Sequence, residues 1–165
     1  MKDKELRIAV TLSTMPGDER IHSMIAECGI EQAAQRWAYG EGPKAFCEHW
    51  KRAVLKAPKV LQNGLARGMR YITPMDDEWP HELDILEELA PIGLWVRGNG
   101  NLAQLSSSAI SIVGARSSTS YGERIASNMG SYAASIGVTV VSGAAYGIDA
   151  ASHRGALAND GPTIA

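Results

Sequence analysis

Two glycine-containing turns hold the residues of this chain that are best suited to binding an anion. In the first turn, Arg116 comes two residues after Gly114, where its guanidinium could hold a phosphate by two hydrogen bonds. In the second, Ser142 and Gly143 follow another apolar run. Glycine lets the main chain pass close to a ligand. The candidate phosphate-binding residues are Gly114, Arg116, Ser117, Ser142, Gly143 and Gly147.

The elements around these turns predict a parallel α/β sheet. Strands are expected at 110–113, 138–141 and 163–165, with helices over 121–135 and 148–158. In such a sheet both turns lie at the carboxyl ends of neighbouring strands, where ligands bind. The helices that begin there direct N–H groups and a positive dipole end towards the same crevice.

Other chemistries at the turns have less support. The spacing matches neither G-x-G-x-x-G nor the P-loop, so dinucleotide binding and P-loop phosphate binding are disfavoured. Asp149 and His153 stand four residues apart and could bind a metal or work with Ser142 in hydrolysis. No second acid or H-E-x-x-H spacing supports these roles, and Asp149 is better suited to capping loop amides. We predict no metal and no cofactor. Tyr146 could stack on a base or on a neighbouring helix.

Composition excludes several classes of protein. The chain has 165 residues, 45% hydrophobic and 21% charged, which is usual for a globular protein of one or two domains. It has no apolar run long enough to span a bilayer, and the charged start at Met1 lacks the apolar core of a signal peptide. Cys28 and Cys47 have neither disulfide-scaffold nor zinc spacing, which favours a cytoplasmic location and no membrane partner.

Charge is distributed unevenly along the chain. Residues 44–70 contain seven lysines and arginines and only one acid, Glu48, whereas residues 71–90 contain seven acids and no lysine or arginine. These runs could be solvated helix faces that partly neutralise each other, or the first could be a basic patch for a phosphate backbone.

Three regions are expected along the chain. Residues 1–70 are predicted to form a SAM-like or helix-hairpin-helix-like domain of five short helices, the first ending at Pro16-Gly17, with breaks at Gly29 and after Leu55. Residues 71–108 are predicted to be a connector with two short strands and one helix, and residues 109–165 the beginning of a Rossmann-like sheet domain. Trp37, Trp50, Trp79 and Trp95 are expected in the core or at seams.

The sheet domain is expected to be incomplete. Three strands are predicted, whereas a doubly wound domain normally has five or six. We therefore expect the chain to be an N-terminal portion, or to complete its sheet through a partner.

Several motifs together resemble the DNA-processing protein A family (DprA/Smf). They are Val113-Gly-Ala-Arg116, Tyr121-Gly122 and Ser142-Gly-Ala-Ala-Tyr-Gly-Ile-Asp149, preceded by Ile72-Thr-Pro74, Trp79-Pro80 and Val96-Arg-Gly-Asn99. The resemblance covers about residues 70–165. Position 115 is Ala where the family often has Ser or Thr, which removes one possible hydroxyl donor.

The resemblance implies a cytoplasmic, non-enzymatic protein that binds single-stranded DNA. Such a protein protects incoming DNA in natural transformation and helps load a RecA-type recombinase, usually as a homodimer. Gly114 and Arg116 would line the phosphate pocket, with Ser142 and Gly143 in the neighbouring turn. The family's sheet continues beyond the equivalent of Ala165, and its dimer surface and further pocket residues lie there.

Two other functions stay open from the sequence. One is a nucleotide-processing enzyme of the phosphoribohydrolase type on a related sheet, although the P-G-G-x-G-T string of those enzymes does not occur in the residues given. The other is a protein-interaction module in which residues 1–70 bind a partner and the sheet serves as support.

Overall fold

The chain folds into two compact units. The structure, a computed structural model, describes residues 2–15 and 17–165, so Met1 and the predicted stop at Pro16 lie outside the described residues. The units are Met1–Asn99 and Gly100–Ala165.

Three helices form most of the first unit: α1 (Asp3–Thr11), α2 (Glu19–Ala38) and α3 (Lys44–Ala66). The predicted break in α2 is confirmed, because Gly29 has a non-helical backbone with φ of 77°. The predicted break after Leu55 is wrong, since α3 runs through Pro58 without ending. Proline costs a helix one main-chain hydrogen bond. Here one apolar face continues past it from Phe46 to Gly64 and buries the helix on both sides of the proline.

The core of the first unit is built around aromatic side chains. Trp37 packs edge-to-face on Phe46 and Trp50, with ring centroids 4.9 and 5.0 Å apart. Trp79 is also buried, which confirms the core position expected for three of the four tryptophans. Trp95 lies at a seam, as the alternative prediction allows: its side chain is 37% exposed, covers Gly64 of α3 and lies against the Tyr71 ring at 5.0 Å. It stands on a two-stranded sheet, which leaves one side of the indole open to solvent.

That sheet is an antiparallel pair formed by β1 (Met69–Ile72) and β2 (Leu94–Arg97). A 3-10 segment, His81–Leu89, lies between the two strands. Residues 71–99 thus fold with the helices in the first unit. The division into domains at residues 70 and 108 stays a prediction.

The second unit is a parallel α/β layer, as expected. It contains α4 (Leu102–Ser106), β3 (Ala109–Ser111), α5 (Ser120–Ser135), β4 (Thr139–Val141), α6 (Ile148–Leu157) and β5 (Thr163–Ile164). The strands are parallel in the order β3-β4-β5, with Ile110 opposite Val140 and Val141 opposite Ile164. Helix α4 was not expected from the sequence; it is a short helix capped by the Asn101 side chain.

Small residues let α5 and α6 pack closely together. A Cβ at Gly130 would stand less than 3.0 Å from the Ser152 carbonyl oxygen, and one at Gly155 would meet the Ser127 carbonyl at similar range. Beneath these helices, Ile112 and Val140 form a small core with alanines of both helices. Within residues 2–15 and 17–165, none of the helices combines the length and apolar character that spanning a membrane requires.

Candidate functional site

The two glycine turns touch each other through their main chains. A Cβ at Gly147 would come less than 3.0 Å from the carbonyl oxygens of both Ala115 and Arg116, so only glycine allows this approach. Gly147 also has φ of 81° and ψ of −125°, a conformation that other residues rarely adopt. The Ile148 N–H then donates to the Ala115 carbonyl at 3.3 Å. The first turn is therefore seated on the start of α6.

Ser142 joins the ends of the two strands that lead into the turns. Its side chain is buried and its hydroxyl donates to the Ile112 carbonyl oxygen at 2.6 Å. Its N–H donates to the Ile164 carbonyl at 3.0 Å, which ties in β5 as well. The Ser142 hydroxyl hydrogen is donated within the sheet and is therefore not available to a ligand. Ser142 instead fixes the position of the second turn.

A buried carboxylate fixes the second turn from inside. Asp149 is 7% exposed and accepts a hydrogen bond from the Ala145 N–H at 3.4 Å. A Cβ at Gly143 would stand 2.9 Å from Asp149 Oδ2, so glycine lets the loop lie over this carboxylate. Ala144 between them has φ of 55°, in the left-handed region. This geometry confirms the expected role of Asp149 in capping loop amides.

The outer surface of the turns presents unpaired donors. Within residues 2–15 and 17–165, the main-chain N–H groups of Gly114, Arg116 and Ser117 have no acceptor, and neither do those of Gly143 and Ala144. All five residues are exposed. Consecutive unpaired N–H groups in a turn form the concave donor surface that anions occupy. The two turns thus offer two such surfaces side by side.

Arg116 is the cation at this surface. It is exposed, and no acid in the described ranges lies within ion-pair distance of its guanidinium. An arginine without a carboxylate partner keeps its planar donors available for a phosphate.

A second carboxylate near the turns already has partners. Glu123, in the first turn of α5, accepts from the Ser118 hydroxyl at 2.8 Å and lies 3.8 Å from the Arg154 guanidinium. Thr119 caps α5 by accepting from the Gly122 N–H at 3.1 Å. The start of α5 is therefore partly satisfied by its own side chains. The N–H groups that remain free to bind an anion are those of the two turns.

His153 does not form a hydrolytic or metal-binding group with Asp149. Its Nδ1 is 2.5 Å from the Thr163 hydroxyl, and its Nε2 is buried without a hydrogen-bond partner in the described residues. Ser142 donates to a main-chain carbonyl rather than to the imidazole. Residues 2–15 and 17–165 contain no group of three histidine, cysteine, aspartate or glutamate side chains placed to hold a metal.

Tyr146 extends from the second turn into solvent. Its side chain is 86% exposed, which excludes the alternative that it packs on a neighbouring helix. An exposed aromatic ring next to unpaired amides is suited to stacking on a nucleic-acid base.

The structure brings the candidate phosphate-binding residues together. Gly114, Arg116, Ser117 and Gly143 are exposed in the two adjoining turns, whereas Ser142 and Gly147 are buried. Their binding of phosphate stays a prediction. The contact between Ser118 and Glu123 was not predicted, because their spacing of five residues does not match the capping box.

Comparison with known proteins places this geometry in a family. The sequence model of the family described as "DNA recombination-mediator protein A" matches residues 70–165. A putative DNA processing protein DprA of Mycobacterium tuberculosis is 34% identical over 166 aligned positions, which cover 91% of this chain and 42% of that protein. The DNA processing protein DprA of Bacillus subtilis is 30% identical over 109 positions, or 66% of this chain and 36% of that protein.

The fold is also found in a solved structure. The X-ray structure of DNA processing protein A from Streptococcus pneumoniae superposes on the whole chain with a TM-score of 0.71, at 23% identity, and the match covers 57% of that protein. This chain thus spans well under half the length of the curated relatives that it matches. The family match, which takes in both glycine turns, shows that the chain belongs to the DNA recombination-mediator protein A family.

Proposed function

We propose that this chain binds single-stranded DNA through the two glycine turns, with the sugar-phosphate backbone lying across their unpaired N–H groups. The observation that carries the proposal is the pairing of Arg116 with five exposed, unpaired amides at one crevice. Phosphates are bound by such groups whatever the sequence of bases, so the binding is expected to be independent of sequence.

Each candidate residue has a defined part in this proposal. Arg116 holds a phosphate by two hydrogen bonds, while the amides of Gly114, Ser117 and Gly143 donate to the neighbouring oxygens. Ser142 and Gly147 act indirectly, because they hold the two turns together.

The exposed Tyr146 ring supports a single strand over a duplex. Bases of a single strand are free to stack on an aromatic side chain, whereas those of a duplex are already stacked on each other.

The cellular role follows from membership of the family and is part of the proposal. The chain would act in recombination of incoming DNA during natural transformation, as a cytoplasmic factor that binds DNA without catalysis and delivers it to a RecA-type recombinase. The names of the M. tuberculosis and B. subtilis relatives support a role in DNA processing. A homodimer is also part of the proposal.

Fluorescence anisotropy with a labelled oligothymidine and a salt titration tests the binding. Arg116→Ala is expected to weaken binding about tenfold, the value of one charge-assisted contact, and to reduce the salt slope by about 0.7. Arg124→Ala is the matched control, because Arg124 is an exposed arginine of the same unit that lies over the Tyr121 ring.

Three results would contradict the proposal: equal affinity of wild type and Arg116→Ala, equal losses in both variants, or tighter binding to duplex than to single strand. Release of base from nucleoside monophosphates by the same preparation would favour a phosphoribohydrolase-type enzyme instead.

A further inference from the structure

The outward face of α3 carries five basic side chains in a stripe. All are exposed, and at 3.6 residues per turn their positions fall within an arc of about 140° around the helix. From the first to the last they extend about 22 Å along the helix axis. The five are Lys44, Lys51, Arg52, Lys56 and Lys59.

This basic face is not neutralised by the acidic run that follows it in sequence. In the part of the chain that the structure describes, none of the five forms an ion pair. Two acids of residues 71–90 pair with other cations: Glu78 with Arg70, and Asp76 with Lys4. Glu48 is the one acid on α3 itself. The basic face therefore has no direct ion pair with the acidic run in the described residues.

Part of the face borders a concave site. His49, Arg52 and Lys56 line a cavity of about 270 Å³ together with Leu12 and Ala53. Two permanent cations and an imidazole without an acid in the lining make this an environment for an anion.

We propose that this face of α3, with the cavity beside it, is a second polyanion-binding surface that takes the phosphate backbone of nucleic acid. It belongs to the first unit, apart from the glycine turns of the second. The choice of nucleic acid as the polyanion rests on the proposed function. The charges themselves require only closely spaced phosphates.

A membrane surface fits α3 less well. A helix that lies on a bilayer inserts its apolar face among the lipids. The apolar face of α3 is buried in the core of the first unit through Phe46, Trp50 and Ala57. The exposed side of α3 is mainly charged. Its exposed large apolar side chains, Leu55 and Leu65, stand ten residues apart and do not form a continuous apolar surface for insertion.

Salt-dependent anisotropy on the whole chain tests the inference, with a labelled oligothymidine long enough to reach both surfaces. Arg52→Gln/Lys56→Gln is expected to reduce the salt slope by about 1.4, the value of two phosphate contacts on a single strand. Glu48→Gln is expected to tighten binding, since it removes the acid on the helix. Arg97→Gln/Arg124→Gln is the matched control, with the same loss of charge at exposed arginines outside α3.

The two proposals fail in different ways. We call Arg52→Gln/Lys56→Gln the α3 double variant. If Arg116→Ala weakens binding and the α3 double variant does not, the proposal of a second surface is wrong and the glycine-turn site stands. If the α3 double variant weakens binding and Arg116→Ala does not, the proposed glycine-turn site is wrong. Equal losses of DNA affinity in the α3 double variant and in its control would show that only net charge matters, and would overturn the inference. If the protein binds phosphatidylserine vesicles, and the α3 double variant loses this binding but keeps its DNA affinity, the surface binds a membrane instead.

Discussion

Gly147 and Ala115, from different turns, lie so close that a Cβ on Gly147 would stand less than 3.0 Å from the Ala115 carbonyl oxygen. The same carbonyl accepts a hydrogen bond from Ile148, the first residue of α6. This contact holds the two sets of unpaired amides next to each other, so the crevice depends on the absence of a side chain at position 147.

Gly147→Ala is therefore expected to lower the free energy of unfolding by about 3 kcal/mol, from an unfavourable backbone conformation together with a main-chain clash. It should also weaken binding of single-stranded DNA. Urea denaturation and anisotropy measure the two effects. Gly137→Ala is the control, since Gly137 has φ of 73° but open space around it. It should cost about 1 kcal/mol and leave binding unchanged. Similar binding losses in both variants would contradict the role given to the contact between the turns.

Tyr146→Ala is expected to weaken binding of a single strand by about 1–3 kcal/mol through loss of stacking on one base, while Tyr146→Phe keeps the affinity. Tyr132→Ala serves as a control, because Tyr132 is also exposed but lies on α5 away from the turns. The loss should disappear on an oligonucleotide without bases. A loss that persists on the abasic strand would show that the ring acts in some other way.

Asp76 connects α1 to the turn after β1. Its carboxylate accepts hydrogen bonds from Lys4 Nζ at 2.9 Å and from the Thr73 N–H and hydroxyl, each at 2.8 Å. Burial by itself raises the pKa of Asp76, but the bonds from Lys4 and Thr73 outweigh it and lower the pKa below the ordinary value. A lowered pKa stabilises the fold above the pKa of the unfolded chain, about 3.9, and this stabilisation is lost as pH falls through the folded value.

Asp76→Asn should accordingly cost about 2 kcal/mol at neutral pH, the contribution of hydrogen bonds to a charged group. It should also flatten the fall in stability below about pH 4. Thermal unfolding across pH measures both. Asp77→Asn, at the exposed neighbouring carboxylate, is expected to change neither. An unaltered acid profile in Asp76→Asn would disprove the assignment.

Gly64 in α3 lies directly under the Trp95 indole, so close that a Cβ would overlap the ring. Alanine favours a helix over glycine by about 1 kcal/mol, yet Gly64→Ala is expected to destabilise the first unit by about 1–3 kcal/mol because the ring must move. Tryptophan fluorescence during urea denaturation follows the change. Asn63→Ala, at an exposed position of the same helix, should be neutral or slightly stabilising. Stabilisation by Gly64→Ala would show that Trp95 moves aside without cost.

The sequence predicted the second unit well because its signals are local. Apolar runs, glycine turns and helix periodicity predict parallel strands near 110, 139 and 163, and β3, β4 and β5 lie there. The first strand is shorter than the predicted 110–113, since Val113 is apolar but already lies in the turn and is 70% exposed. The apolar pattern predicts a strand as long as the run of apolar residues. The observed strand ends where its pairing with the neighbouring strand β4 ends.

Long-range contacts could not be predicted in the same way. The continuous α3 through Pro58 depends on a core that covers its apolar face on both sides of the proline. The hydroxyl of Ser142 could have faced a ligand or the sheet, and only the Ile112 carbonyl opposite it decides between them. Ion pairs are equally hard to predict from sequence: Arg70 pairs with Glu78, although several other acids lie nearby in the sequence.

Amide chemical shifts of the ¹⁵N-labelled chain, followed while oligothymidine is added, test directly whether the glycine turns bind DNA. Saturable shifts are expected at Gly114, Arg116, Ser117, Gly143 and Ala144, whose N–H groups gain phosphate acceptors. These shifts should be largely lost in Arg116→Ala and retained in Arg124→Ala. If these five amides stay unchanged while the oligonucleotide is bound at saturation, the glycine turns are not the DNA site.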